Sequence, residues 1–193
     1  MKTGIVYLIG AGPGDLELIT LKGFRIIQEA DAIVYDRLVN PSLLRYRKKD
    51  SEIFYVGKSP DHHTLTQEKI NDLLVKLAKE GKIVARVKGG DPYVFGRGGE
   101  ECEALFNNEI QFEVVPGITS AIAAPSYAGI PVTHRNIAVD FTVVTGHENP
   151  HKEKPLKIIT KNEELLLKIG ESTTEELKDD EAIKVQIRLA IDN

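Results

Sequence analysis

With 193 residues, 41% hydrophobic and 28% charged, the chain can bury one large core or two small ones, which excludes general disorder. Twenty-five Lys and Arg against 29 Asp and Glu leave a formal charge of -4, so nucleic acid is a poor partner unless the basic residues gather on one face. The single cysteine, Cys102, excludes an intramolecular disulfide and a thiolate metal cluster, and it fits a reducing, cytoplasmic setting. No run approaches the ~18 uncharged apolar residues of a membrane span. The opening MKTGIVYLIG lacks the small-residue cleavage region of a secretory signal, so neither export nor membrane insertion is expected.

Ile5 to Ile9 is a short apolar run that stops at Gly10-Ala11-Gly12-Pro13-Gly14-Asp15, which predicts a buried strand entering a tight loop before a helix. Similar runs follow at Ala32 to Tyr35, Ile53 to Val56, Ile83 to Val87 and Phe112 to Val115, with a possible sixth at Phe141 to Thr145. Gln67 to Glu80 has Ile70, Leu73, Leu74, Leu77 and Ala78 at helical spacing. Thr64 with Gln67 forms a candidate capping box for it, and Gly81 is placed to end it. Strands alternating with helices imply βαβ crossovers, hence an α/β fold with a mainly parallel sheet of about five strands flanked by helices.

Beyond Gly146 the texture changes. Residues 149–193 hold eight Lys or Arg and ten Asp or Glu in 45 positions, and no aromatic residue. A domain boundary is expected near 147–155, giving units 1–146 and 147–193. The later segment still carries pattern: a strand is expected near Lys157 to Thr160, a helix near Glu163 to Ile169, and an alternating strand over 183–191.

The first glycine loop lacks the third glycine of the dinucleotide fingerprint, because Asp15 stands in its neighbourhood instead, and no Walker-type Gly-Lys-Ser or Gly-Lys-Thr follows it. A nucleotide reading using Gly10 to Gly14 with Asp36 as the ribose-binding acid stays open, as does a plain strand-to-helix turn. Richer is Lys88 to Glu101, with five glycines directly after a strand; each costs backbone entropy that an ordinary turn need not lose. A third loop, Pro116-Gly117-Ile118-Thr119-Ser120-Ala121, also follows a strand. Ligands in open α/β sheets bind beyond the carboxyl ends of strands, so the three loops are expected to converge on one rim. His62, His63, His134 and His147 make no zinc set with Cys102, which is expected to be a small buried residue of a helix over Gly99 to Phe106.

These motifs, with Tyr35-Asp-Arg-Leu-Val39, Val56-Gly-Lys58 and Gly129-Ile-Pro-Val-Thr-His-Arg135, together resemble the tetrapyrrole methylases, and among them the branch acting on uroporphyrinogen III. The likeness runs in order over residues 4–148. It implies transfer of methyl groups from S-adenosyl-L-methionine to ring carbons 2 and 7 of uroporphyrinogen III, giving precorrin-2 for sirohaem and cobalamin, with no metal and in a homodimer. By motif, the cofactor site would include Pro13, Gly89, Gly90, Asp91, Val94, Thr119 and Ser120. Arg97 and Glu100 match residues with catalytic roles, and Arg37 and Arg135 match arginines that grip substrate carboxylates. Arginine is a poor base at its usual pKa, so orientation and charge stabilisation are the roles chemistry favours for Arg97.

Family members continue past Thr145-Gly146-His147-Glu148 with a second α/β domain that furnishes half of the cofactor cleft. The 45 remaining residues amount to about half a domain by ordinary size, so an incomplete second domain is expected. Two other functions stay open at this point: a tetrapyrrole-binding protein without turnover, and a nucleotide-dependent oxidoreductase.

Overall fold

The structure, a computed structural model, describes residues 3–57 and 65–144, together with the backbone of 157–159 and 164–166. It divides into two compact units, Met1–Ala123 and Ala124–Asn193. In the first, β1 (Ile5–Gly10), β2 (Ala32–Tyr35), β3 (Glu52–Tyr55), β4 (Ile83–Lys88) and β5 (Gln111–Val115) form one sheet in the order β3-β2-β4-β1-β5. Every pairing in it is parallel. Five of the six expected strands are thus present, each within a residue or so of its expected ends. The sixth is not: 141–144 carry no strand, and Thr145 lies outside the described residues.

The sequence explains the order. IVARVK of β4 is buried at five of six positions and lies in the middle, where both faces are covered. EIFY of β3 and QFEVV of β5 are the most exposed, and they are the edges. Helix α1 (Leu21–Glu29) lays Ile26 and Ile27 on one face, against Ile9, Ile33 and Val87. On the other face α2 (Gln67–Lys79) and α3 (Gly98–Asn107) lay Leu74, Leu77 and Leu105 against Val6, Leu8, Val34 and Val84.

Helix α2 starts where its pattern starts, but its cap is Thr66, whose Oγ1 accepts from Lys69 N at 3.4 Å. Thr64, the expected cap, lies outside the described residues. The hydroxyl adjoining Gln67 takes the cap because it reaches the third residue of the first turn. Gly81 ends the helix at φ +83, its N–H donating to Ala78 O at 2.9 Å. Cys102 is buried within α3, as expected.

Helix α4 (Ser120–Tyr127) contains Pro125. In the second unit, His134 and Ala138 close a tight turn by exchanging backbone hydrogen bonds of 2.8 and 2.9 Å, with Asn136 at φ 69 between them. The strand expected near Lys157 is present as β6 (Lys157–Ile159). The helix expected from Glu163 is not: β7 (Glu164–Leu166) pairs antiparallel with β6. The Leu run there is too short to define a period, and the pairing of its backbone with β6 decides the outcome. The expected boundary at 147–155, His62, His63, His147 and the alternating stretch 183–191 lie outside the described residues.

Candidate functional site

The order β2-β4-β1-β5 sets four carboxyl-end loops side by side, and three are the glycine loops. Gly12 and Gly90 exchange backbone hydrogen bonds, 3.2 Å from Gly12 N to Gly90 O and 2.7 Å in return. Both have positive φ, +78 and +65, a conformation glycine adopts without steric cost. The third loop fits against them with no space to spare. A Cβ on Gly117 would stand 2.2 Å from Gly90 O and 2.6 Å from Gly10 Cα. Asp91 fastens the same junction, its Oδ2 accepting from Gly117 N at 3.0 Å and its Oδ1 from Tyr93 N at 2.8 Å.

The turn after β2 completes the rim. Asn40 Nδ2 donates to Gly14 O at 2.8 Å, and a Cβ on Gly89 would meet Leu38 Cβ at 2.6 Å. The backbone of Arg37 lies under Gly57, where an added Cβ would be 2.8 Å from Arg37 N. Arg37 itself is exposed.

Gly89, Gly90, Asp91 and Thr119 therefore come together, with a Cβ position on Gly90 only 3.9 Å from Thr119 Cα. Thr119 turns its Oγ1 back to Ala121 N at 3.3 Å, and Ser120 begins α4 beside it. Pro13 is exposed on the first loop and Val94 on the second. Arg135 sits in the His134–Ala138 turn of the second unit, its carbonyl accepting from His134 Nδ1 at 2.7 Å.

Arg97 forms a two-pronged pair with Glu100, Nε to Oε1 at 2.8 Å and NH2 to Oε2 at 2.6 Å, with both side chains exposed. The bonded carboxylate raises the Arg97 pKa above its usual value, and the guanidinium lowers that of Glu100. A proton is therefore harder to remove from Arg97 than from a free arginine, which makes it a poorer base still. Arg97 also holds φ 56 at the N-cap of α3, and Phe95 holds φ 53. Left-handed backbone at two non-glycine residues costs of order 1–3 kcal/mol each, and such conformations cluster at functional sites.

Beneath the rim lies a charge cluster centred on Arg86, which lies outside every sequence motif, and joining Asp36, Lys88 and Glu101, which lie within motifs that assign them no such role. Glu101 of α3 is fully buried and accepts from Arg86 Nε at 2.9 Å and from Lys88 Nζ at 3.0 Å on each oxygen. Arg86 NH2 reaches Asp36 Oδ2 at 3.2 Å. Burial pushes the Lys88 ammonium below its ordinary pKa, with the Arg86 charge adding to the effect. A signal was present in the sequence: Arg86 and Lys88 alternate with Val87 inside an otherwise apolar central strand, where a cation needs a buried partner.

What could these loops hold? Interlocked backbone with no room for Cβ atoms at Gly10 and Gly117, yet open space beyond Gly14, suits a small molecule bound through main-chain groups. Among the described residues, no group of three His, Cys, Asp or Glu could hold a metal ion, and no helix is long and apolar enough to cross a membrane.

The profile of the Tetrapyrrole (Corrin/Porphyrin) Methylases matches residues 5–182. Over 154 residues the chain is 63% identical to a uroporphyrinogen-III C-methyltransferase of Priestia megaterium, covering 80% of this chain and 65% of the relative. The crystal structure of uroporphyrin-III-C-methyltransferase from Thermus thermophilus superposes with a TM-score of 0.67 at 50% identity, covering 75% of this chain and 61% of that one. A second structure of that enzyme, complexed with S-adenyl homocysteine, gives a TM-score of 0.61 at 47% identity, covering 71% and 57%. The chain thus spans slightly less than two thirds of the length of these proteins.

Proposed function

Because this chain belongs to the tetrapyrrole (corrin/porphyrin) methylases, we propose that it binds S-adenosylmethionine and uroporphyrinogen III and takes part in C-methylation of the macrocycle toward precorrin-2, on the routes to sirohaem and cobalamin. The observation that carries this is the interlocking of the Gly10–Gly14, Gly89–Asp91 and Gly117–Thr119 loops at the ends of three adjacent strands.

When bound, the sulfonium cofactor supplies an electrophilic methyl group. The chain's own residues hold and orient. Main-chain groups at Gly89, Gly90 and Asp91, with Pro13, Val94, Thr119 and Ser120, would cradle the cofactor. Arg37 and Arg135 would grip substrate carboxylates by two-pronged hydrogen bonds. As the new carbon–carbon bond forms and the sulfonium's S–C bond breaks, positive charge passes to the ring, which then loses a proton; the Glu100 carboxylate would offset that charge, and Arg97, kept cationic by Glu100, would orient the macrocycle while positioning lowers the barrier. A homodimer and a cytoplasmic location belong to the same proposal. Sedimentation velocity tests the homodimer.

Calorimetry distinguishes the alternatives. Binding of both S-adenosylhomocysteine and uroporphyrin supports the methylase; uroporphyrin alone supports a non-catalytic binder. Binding of NAD alone would overturn both.

A further inference from the structure

The cluster beneath the rim asks for a reason beyond stability, since burying three charged groups, Arg86, Lys88 and Glu101, rarely stabilises a fold relative to apolar packing. Its geometry supplies one. Arg86 uses all three guanidinium nitrogens: Nε on Glu101, NH2 on Asp36, and NH1 on the carbonyls of Val87 and Val34 at 3.0 and 3.5 Å. Glu101 also receives Lys88, the residue immediately before Gly89, and Gln67 Nε2 of α2 at 3.4 Å. Asp36 is the half-buried end of the chain of contacts, 24% exposed. Its other oxygen accepts from Leu38 N at 3.1 Å, and its carbonyl accepts from Val39 N at 3.3 Å, which folds the turn carrying Arg37. At the far end, Glu101 is the next residue after Glu100, the partner of Arg97.

Resting on the methylase reading above, we propose that Arg86 and Glu101 are positioning residues for the tetrapyrrole. Through one buried fork they fix the Asp36–Val39 turn, and so Arg37, relative to the first turn of α3, and so Arg97. The separation of two arginines is what a rigid polycarboxylate macrocycle senses, whereas the glycine loops, though they adjoin the fork at Lys88 and Leu38, are also fastened to one another by hydrogen bonds in which the fork takes no part. Lysine at position 86 keeps the charge but replaces three nitrogens in a rigid planar fork by one ammonium on a flexible stem, which cannot reproduce the spread of bonds to Glu101, Asp36 and the two carbonyls.

The test is Arg86→Lys in the full chain, titrated separately with uroporphyrin and with S-adenosylhomocysteine. The expected result is uroporphyrin affinity reduced about tenfold or more, S-adenosylhomocysteine affinity within about twofold of the parent, and a cooperative unfolding transition. Parallel loss of both affinities, or no change in either, would overturn the assignment. Hydrogen exchange provides an arm independent of ligand. The amides of Leu38 and Val39 should exchange about tenfold faster in Arg86→Lys while those of β1 keep their protection. Unchanged exchange at Leu38 and Val39 overturns the coupling even if uroporphyrin binds. If the parent chain binds no uroporphyrin, the methylase reading fails, and the exchange arm still decides the coupling. Should Arg86→Lys fail to fold, Asp36→Asn cuts the same link at its half-exposed end and is read by the same two measurements.

Discussion

Gly10 and Gly117 touch backbone to backbone: a methyl group added to Gly10 would lie 2.5 Å from both the Cα and the N of Gly117. Two loops more than a hundred residues apart in sequence are thereby pressed together at the ends of neighbouring strands β1 and β5. Neither neighbour is a movable side chain, so relief requires the backbone to shift.

Gly117→Ala should destabilise the chain by about 1–3 kcal/mol, the usual range for overpacking, and should weaken S-adenosylhomocysteine binding. Gly99→Ala is the control. Nothing lies within 4 Å of a Cβ there, and the residue is in the first turn of α3. That change should stabilise by about 0.4–1 kcal/mol through the unfolded state. Urea midpoints of the two variants check the contrast.

Asp91 gives each of its oxygens to a backbone N–H, one in its own loop and one in the loop after β5. Asp91→Ala leaves two donors to find water, and about 1–3 kcal/mol of stability should be lost for each donor left buried. Asp91→Asn keeps one carbonyl acceptor and should lose less. Thermal unfolding of the pair measures the difference, and equal stability of the two variants would show that the junction does not depend on the carboxylate.

Asp31 accepts from Lys48 Nζ and, at 2.8 Å, from Ile83 N, and the Lys48 bond leads in holding its pKa below 3.8. A depressed carboxyl pKa adds stability that is complete above the unfolded value and disappears as pH falls through the folded one. Asp31→Asn should therefore unfold at lower urea than the parent at neutral pH, with the gap closing below pH 3.8. A gap that persisted unchanged in acid would exclude the ion pair as its source.

Cys102 lies buried with its Sγ 3.3 Å from the Tyr93 hydroxyl. Burial raises the thiol pKa, and the same contact pushes the Tyr93 phenol up to about 12. Thiolate is the reactive form, so labelling of the native chain by a disulfide reagent at pH 8 should be on the order of a hundredfold slower than in urea. Comparable rates would mean that the α3 face opens readily.

Much of this arrangement is legible in the residues. The β-branched runs give the strands because central parallel strands are apolar on both faces, as Ala32 to Tyr35 illustrates with bounds that coincide with β2. Glycine loops after strands give the rim because open sheets bind ligands there. Less legible is whatever depends on long-range partners. Glu163 to Ile169 reads as helix from its leucines, yet pairing with β6 makes Glu164–Leu166 a strand. Arg86 and Lys88 read as strand residues until Glu101, 15 and 13 positions away, is brought onto the same face. The Arg97–Glu100 pair is three residues apart in the first turn of a helix, and spacing alone foresees it.

In the proposed reaction the interlocked loops present a methyl donor to a tetrapyrrole oriented with the help of Arg37 and Arg97. Its most direct measurement is anaerobic incubation of this chain with uroporphyrinogen III and S-adenosylmethionine, followed by mass analysis of the macrocycle. The expected result is a product heavier by one or two methyl groups, abolished by Arg97→Ala while the thermal transition is retained. An unmodified macrocycle in the presence of both bound ligands, or full methylation by Arg97→Ala, would contradict it.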